Sequence, residues 1–284
     1  MNNHFQGFYF KQQSRDHAFA LIAANGLDEN GSAFASIQAV LPDGAFTIPF
    51  PPENARIDPR GPFLRFGENL LSADGLQVDL AAGDHSIRGA LHFGPLSRPR
   101  GDIMGPFRFL PGMECRHHLV SMAHEVLGSF EIDGRRYDYD GARSYIEGDS
   151  GRSFPKRYLW TQCFPEAAEP RSVMLSVAEI PYLGLRFTGA IGFILLDGRE
   201  KRLATYLGAK VLEFADGRAV LRQGGDTLEV QFDPAGTTTL EAPVDGRMSR
   251  AIGERLLGRA RYHFSQNGRT VFDFTSENAS FECE

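Results

Sequence analysis

No run of about 18 uninterrupted apolar residues occurs in the chain, so it lacks the length of apolar segment that a membrane-crossing helix needs. Basic excess is missing too. A net charge of −6 and a pI near 5.8 argue against a nucleic-acid footprint, which calls for a basic face. Cysteines number three (Cys115, Cys163 and Cys283), odd and widely spaced. They form no disulfide framework and read as free thiols in a reducing compartment, which makes cytoplasm the expectation. The N-terminal MNNHFQGFYFKQQ has neither a basic start nor an apolar stretch, so no secretory signal is expected. Helical periodicity is scarce, and only Ser249–Leu257 has apolar spacing that fits two helical turns.

What is abundant is the punctuation of hairpins. Asn25-Gly26, Asn30-Gly31, Asp43-Gly44, Asp74-Gly75, Asp133-Gly134, Asp140-Gly141, Asp197-Gly198, Asp216-Gly217, Asp245-Gly246 and Asn267-Gly268 suit the positive φ angles of two-residue turns. Short alternating runs lie between them, such as His85–Phe93, Val211–Phe214 and Arg269–Phe274. This pattern predicts an all-β fold of two packed antiparallel barrel or sandwich units with little helix. The first unit is expected over 1–150 and the second over 151–284, with a site near the junction. The five prolines between Pro49 and Pro62 suggest a loop over a barrel mouth, and Pro165–Pro170 suggests a surface excursion.

Residues 105–163 concentrate the chemistry. They hold Glu114, Glu147 and Asp149, three histidines (His117, His118 and His124), Tyr145, Phe154, Tyr158, Trp160 and Gln162. Gly148 and Gly151 flank Asp149 and Ser150, which reads as a polar bend before a strand. From Tyr158 the alternation puts Tyr158, Trp160 and Gln162 on one face, with Leu159, Thr161 and Cys163 on the other. Such a face can stack on a ring and bond a phenol or carbonyl. It also suits ordinary core packing, with Gln162 serving buried backbone. Glu147 and Asp149, two residues apart, could share one direction, and crowded carboxylates in a dry cleft favour keeping one protonated as an acid. A solvated turn with Glu147 paired to Arg152 is the plainer reading.

Two lookalikes fail. Gly148-Asp-Ser-Gly151 matches the tetrapeptide around a serine-protease nucleophile, but no sequence feature beyond isolated histidines supports the oriented His-Asp pair that a triad needs. Around Met113–His118 there is no C-x-x-C or H-x-x-x-H spacing, so no metal is expected. Alternation there places Glu114, Arg116 and His118 on one side and Cys115 and His117 on the other. A histidine as base or hydrogen-bond donor fits better.

Several segments together resemble tocopherol cyclase and its bacterial relatives. Gly7-Phe-Tyr-Phe-Lys11 is similar to their G-W-Y-F-K opening, and Pro111-Gly-Met-Glu-Cys115 with His117 to P-x-M-E-C-x-H. Tyr145-Ile-Glu147, Gly151, Phe154-Pro155, Trp160 and Gln162 are similar to Y-x-E-K-x-W-G…F-P…W-x-W-x-Q, and Ser276–Glu282 to the acidic, small-residue ending. The resemblance is colinear over almost the whole chain. It implies a lipocalin-like tandem β fold, related to carotenoid hydratases and attachment proteins, and cofactor-free cyclisation of a prenylated hydroquinone to a chromanol. The chain departs from the pattern at Phe8, Gly148, Ser150 and Tyr158, where the family has Trp, Lys, Trp and Trp, so the substrate is the part most open to change.

On that resemblance Glu147 or Asp149 donates the proton, and Tyr145, Tyr158 and Trp160 stabilise the cation. His117 or Glu114 accepts the phenol proton, while Gln162 and Phe154 help hold the substrate. The partner is a small apolar terpenoid or prenylated aromatic, with transient membrane-surface contact allowed and no nucleic acid. A non-catalytic carrier of an apolar ligand, or a related hydratase, are the alternatives.

Overall fold

Residues 3–15, 17–58, 62–166 and 170–284 are described by the computed structural model. Part of the excursion expected at Pro165–Pro170 (residues 167–169) and part of the proline-rich loop (residues 59–61) lie outside the described residues.

Among the described residues the regular structure is antiparallel strand with three short 3-10 turns. Two sheets share one plan. Each runs as chain-consecutive hairpins, and each joins its first strand to its last near the middle. In the twelve-stranded sheet the first strand, His4–Gln13, pairs with Ala142–Gly151. One arm continues through Ala18–Leu27 and Ala33–Leu41, the other through Cys115–Ile132 and His85–Phe93. In the ten-stranded sheet Tyr158–Cys163 pairs with Arg269–Cys283 in the same way. The last strand of the first sheet therefore leads directly towards the first strand of the second.

By contact the chain forms two compact units that it visits alternately. Unit 1 comprises Met1–Pro99, Cys115–Phe154 and Leu240–Ala251; unit 2 comprises Arg100–Glu114, Pro155–Thr239 and Ile252–Glu284. Each has its own apolar core. In unit 1 Phe8, Phe10 and Ile146 from the central strands pack with Leu41 and Leu80 from opposite arms, so the arms enclose one interior. In unit 2 Leu159, Cys163, Leu175, Leu228 and Phe281 do the same. The Leu240–Ala251 hairpin is tied into unit 1 by reciprocal bonds between the Gln38 amide and the Glu241 backbone, at 3.0 and 2.9 Å.

Four local expectations are corrected. Ser249–Leu257 is not helical but lies inside the strand Arg247–Gln266. Ile252, Glu254, Leu256, Gly258 and Ala260 alternate as buried positions there, and that period of two overrides the weak helical spacing. Asn25-Gly26 is not a turn but part of the strand Ala18–Leu27. A β-carbon on Gly26 would collide with the His4 carbonyl and the Phe34 ring, so close packing explains the glycine. The bend expected at Gly148–Gly151 is instead the end of the strand Ala142–Gly151. At Gly148 a β-carbon would sit 2.7 Å from the Gly7 carbonyl oxygen, which again makes glycine a packing requirement. Within the proline-rich stretch, Pro52–Asn54 is a 3-10 turn and Ala55–Ile57 an edge strand paired to Phe63–Phe66, rather than a free loop.

Candidate active site

Strand alternation in unit 1 sorts the central residues cleanly. Phe8, Phe10 and Ile146 face the core. On the opposite face, neighbouring strands align Gly7, Tyr9 and Lys11 with Asp149, Glu147 and Tyr145, and these in turn lie beside His117 and Leu119. Tyr9, Lys11, Tyr145 and Glu147 are all buried although they point away from their own apolar core. A buried ionisable group is costly unless paired, so such a face needs internal partners.

The partners form a continuous chain. Tyr145 Oη donates to Glu147 Oε2 at 2.5 Å. His117 Nε2 approaches the same Oε2 at 3.2 Å, an ion-pair distance at which the N–H is not aligned as a hydrogen bond. On its other side His117 Nδ1 lies 3.1 Å from Asp149 Oδ1, and Cys115 Sγ donates to that oxygen at 3.4 Å. Burial alone would pull the His117 imidazole down, but the Asp149 and Glu147 carboxylates outweigh it and hold the ring protonated well above its usual range. With only 14% of its side chain exposed, this imidazolium is screened little by solvent. His118 lies on the other side of its strand and meets Ser150 Oγ at 3.0 Å.

The remaining candidates divide by unit. Phe154 belongs to unit 1, where its ring meets Phe5 edge-on at 5.6 Å. Glu114, Tyr158, Trp160 and Gln162 belong to unit 2. Along Tyr158–Cys163 the residues Leu159 and Cys163 enter the unit 2 core, and Tyr158, Trp160 and Gln162 occupy the opposite face, all buried. Tyr158 Oη donates to Glu282 Oε2 at 2.6 Å, and Gln162 Nε2 reaches Ser172 Oγ at 3.4 Å. Each unit thus bears a tyrosine–carboxylate pair on the face away from its core, but among the described residues the imidazolium bracketed by two carboxylates occurs in unit 1.

Sequence reasoning missed Tyr9, Lys11, Cys115 and Glu282. Alternation alone puts Tyr9 and Lys11 on one face of their strand. What it could not supply is the pairing of the first strand with a partner more than 130 residues later. Among the described residues no group of three or more His, Cys, Asp and Glu side chains has the geometry to hold a metal ion.

Comparison with known proteins places this cluster in context. Residues 74–200, which include the Cys115–Ile132 and Ala142–Gly151 strands, match the tocopherol cyclase-like family. A chloroplastic protein of Oryza sativa subsp. japonica described as a tocopherol cyclase is 27% identical over 112 residues, 39% of this chain and 23% of that protein. The chloroplastic tocopherol cyclase of Zea mays is 28% identical over 93 residues, 32% of this chain and 20% of that protein. The match therefore spans about a fifth of the length of these relatives. Two solved structures share the fold. A Nitrosomonas europaea protein described as AttH superposes with TM-score 0.54 at 8% identity over 99% of this chain and 92% of its own. Kievitone hydratase from Nectria haematococca gives 0.56 at 11% identity over 99% and 88%.

Proposed function

We propose, from the premise that the chain is tocopherol cyclase-like over residues 74–200, that it starts an intramolecular cyclisation by protonating an alkene in a prenylated quinol or related terpenoid. The observation that carries this reading is the single oxygen, Glu147 Oε2, shared by the Tyr145 hydroxyl and the His117 imidazolium. Protonating a trisubstituted alkene leaves a tertiary cation on the substrate and a negative charge on the donor. Glu147 is the proposed donor: its carboxylate takes the Nε2 proton of the His117 imidazolium 3.2 Å away and passes it to the alkene, which returns Glu147 to a carboxylate and leaves His117 neutral.

Asp149 acts on this reading through His117, holding the ring charged and oriented. The aromatic faces of Tyr9 and Tyr145, both on the buried face with Glu147, are the proposed stabilisers of the cation, at roughly 0.5–2 kcal/mol each. Attack by the phenol oxygen closes the ring, and the phenol proton returns through Glu147 to His117, which restores the imidazolium. The substrate gains and loses one proton, so no redox partner or cofactor enters the balance. In unit 2 we assign the Tyr158, Trp160 and Gln162 face as a surface for apolar ligand, with Glu114 of unit 2 and Phe154 of unit 1 as further candidates. Cytoplasmic location is part of the proposal; among the described residues no helix is long and apolar enough to cross a membrane.

Turnover of a prenylated hydroquinone in D2O tests the proposal. One deuterium is expected at the former alkene methine carbon, and Glu147→Gln should lower the rate by at least about 100-fold, the usual contribution of a positioned acid. An unlabelled product would remove the proton-initiated route, an unchanged bound ligand would identify a carrier, and a product heavier by one water would identify a hydratase.

A further inference from the structure

Five residues other than glycine adopt positive φ among the described residues: Asp133, Asp197, Asp245, Asn267 and Leu183. All five open a two-residue hairpin turn and are followed by a glycine that is also at positive φ. Asp and Asn fill this position readily, because a short polar side chain tolerates the left-handed region and can bond locally. Leu183, at φ 50°, has no such compensation and carries a steric cost that the other four turns avoid. It is also 83% exposed, and Leu185, its neighbour across the turn, is 75% exposed. The local backbone and the solvent both disfavour leucine here. A leucine at odds with both preferences points to something other than folding.

The tip belongs to a larger apolar rim within unit 2. Phe107, in the 3-10 turn Gly105–Phe109, packs its ring 5.8 Å from Phe187 of the hairpin and 5.9 Å from Tyr206 of the 3-10 turn Thr205–Leu207. These contacts pack the turns that carry Phe109 (73% exposed) and Leu207 (50% exposed) against the hairpin that carries Leu183 and Leu185. Two cations lie among them. Arg108 stacks over the Phe109 ring at 4.4 Å, with Asp102 at 3.9 Å from its guanidinium, and Arg186 is exposed next to Leu185.

We propose that this rim is a docking surface for an anionic lipid bilayer, with Leu183, Leu185 and Phe109 entering the interface and Arg108 and Arg186 meeting phosphate headgroups. Apolar side chains framed by cations are the pattern of interfacial membrane contacts. The two arginines favour an anionic lipid surface as the occupant. The inference concerns unit 2 alone and does not depend on the reaction proposed for unit 1.

Vesicle flotation of the full chain tests it, using phosphatidylcholine vesicles with and without phosphatidylglycerol. The informative variant is Leu183→Asn combined with Leu185→Thr, because asparagine already serves the same turn at Asn267 and should leave the melting temperature unchanged or higher. The wild-type chain is expected to float with the anionic vesicles, and the double variant to bind them at least about tenfold more weakly. Replacing Arg108 and Arg186 with Gln should weaken binding to anionic vesicles alone. Four results would overturn the proposal. They are no flotation of the wild-type chain, equal flotation of the double variant, equal binding to neutral and anionic vesicles, or a concentration-dependent dimer that the double variant abolishes.

Discussion

His117 and His124 sit seven residues apart on the strand Cys115–Ile132, both largely buried and both paired with the same neighbouring strand, yet they hold opposite charge states. His117 lies opposite Asp149 and next to Glu147 on the face away from the core, and its ring stays protonated well above its usual range. His124 lies opposite Ser144 on the other face, against the Phe93 ring at 4.6 Å. Burial with no opposing charge lowers its pKa to about 4. Its Nδ1 meets Ser121 Oγ at 2.9 Å, while its Nε2 and the Ser144 hydroxyl have no hydrogen-bond partner among the described residues. Burial discharges an imidazole by default, and two carboxylates reverse that outcome. What marks the candidate site is therefore the composition of the facing strand rather than the histidine itself.

Breaking the His117 side of this contrast should have the largest effect. His117→Gln keeps a polar side chain but removes the charge beside Glu147, and turnover should fall by about 100-fold or more. The alkaline arm of the rate profile should disappear with it, which loss of fold would not reproduce at constant melting temperature. Stability should respond as well. The raised native pKa means that His117 contributes fully below about pH 6.5 and loses that contribution as pH rises through the native value.

His124 should act on the opposite limb and more modestly. Unfolded chains take up a proton on this ring near pH 6.5, whereas the native ring does so only near 4. Stability should therefore fall as pH drops from about 6.5 to about 4, by on the order of 3 kcal/mol at most. Denaturant melts across that range should show a smaller loss in His124→Gln. Identical acid limbs in the two proteins would mean that the ring is solvated.

The sequence made the β architecture legible because its turns advertise themselves: Asp133-Gly134, Asp197-Gly198, Asp245-Gly246 and Asn267-Gly268 all close hairpins. Alternation also gave the correct faces for Tyr158–Cys163 and for Cys115–His118, because those strands are regular. Reading failed where glycine served packing instead of turning, at Gly26 and Gly148, since both uses look alike in one dimension. It failed again for Tyr9 and Lys11, whose significance depends on the pairing of His4–Gln13 with Ala142–Gly151. Nothing local encodes that closure. The joining of His117 to both carboxylates depends on the same register, and two irregularities further along the strand, between Leu119 and Ser121 and between Ser121 and His124, were equally invisible.

An NMR titration of the two imidazoles in one sample tests the contrast most directly. His117 should remain protonated well above pH 6.5, and His124 should stay neutral down to about pH 4. A His117 ring that loses its proton near 6.5 would contradict the carboxylate-held imidazolium on which the proposed proton delivery rests.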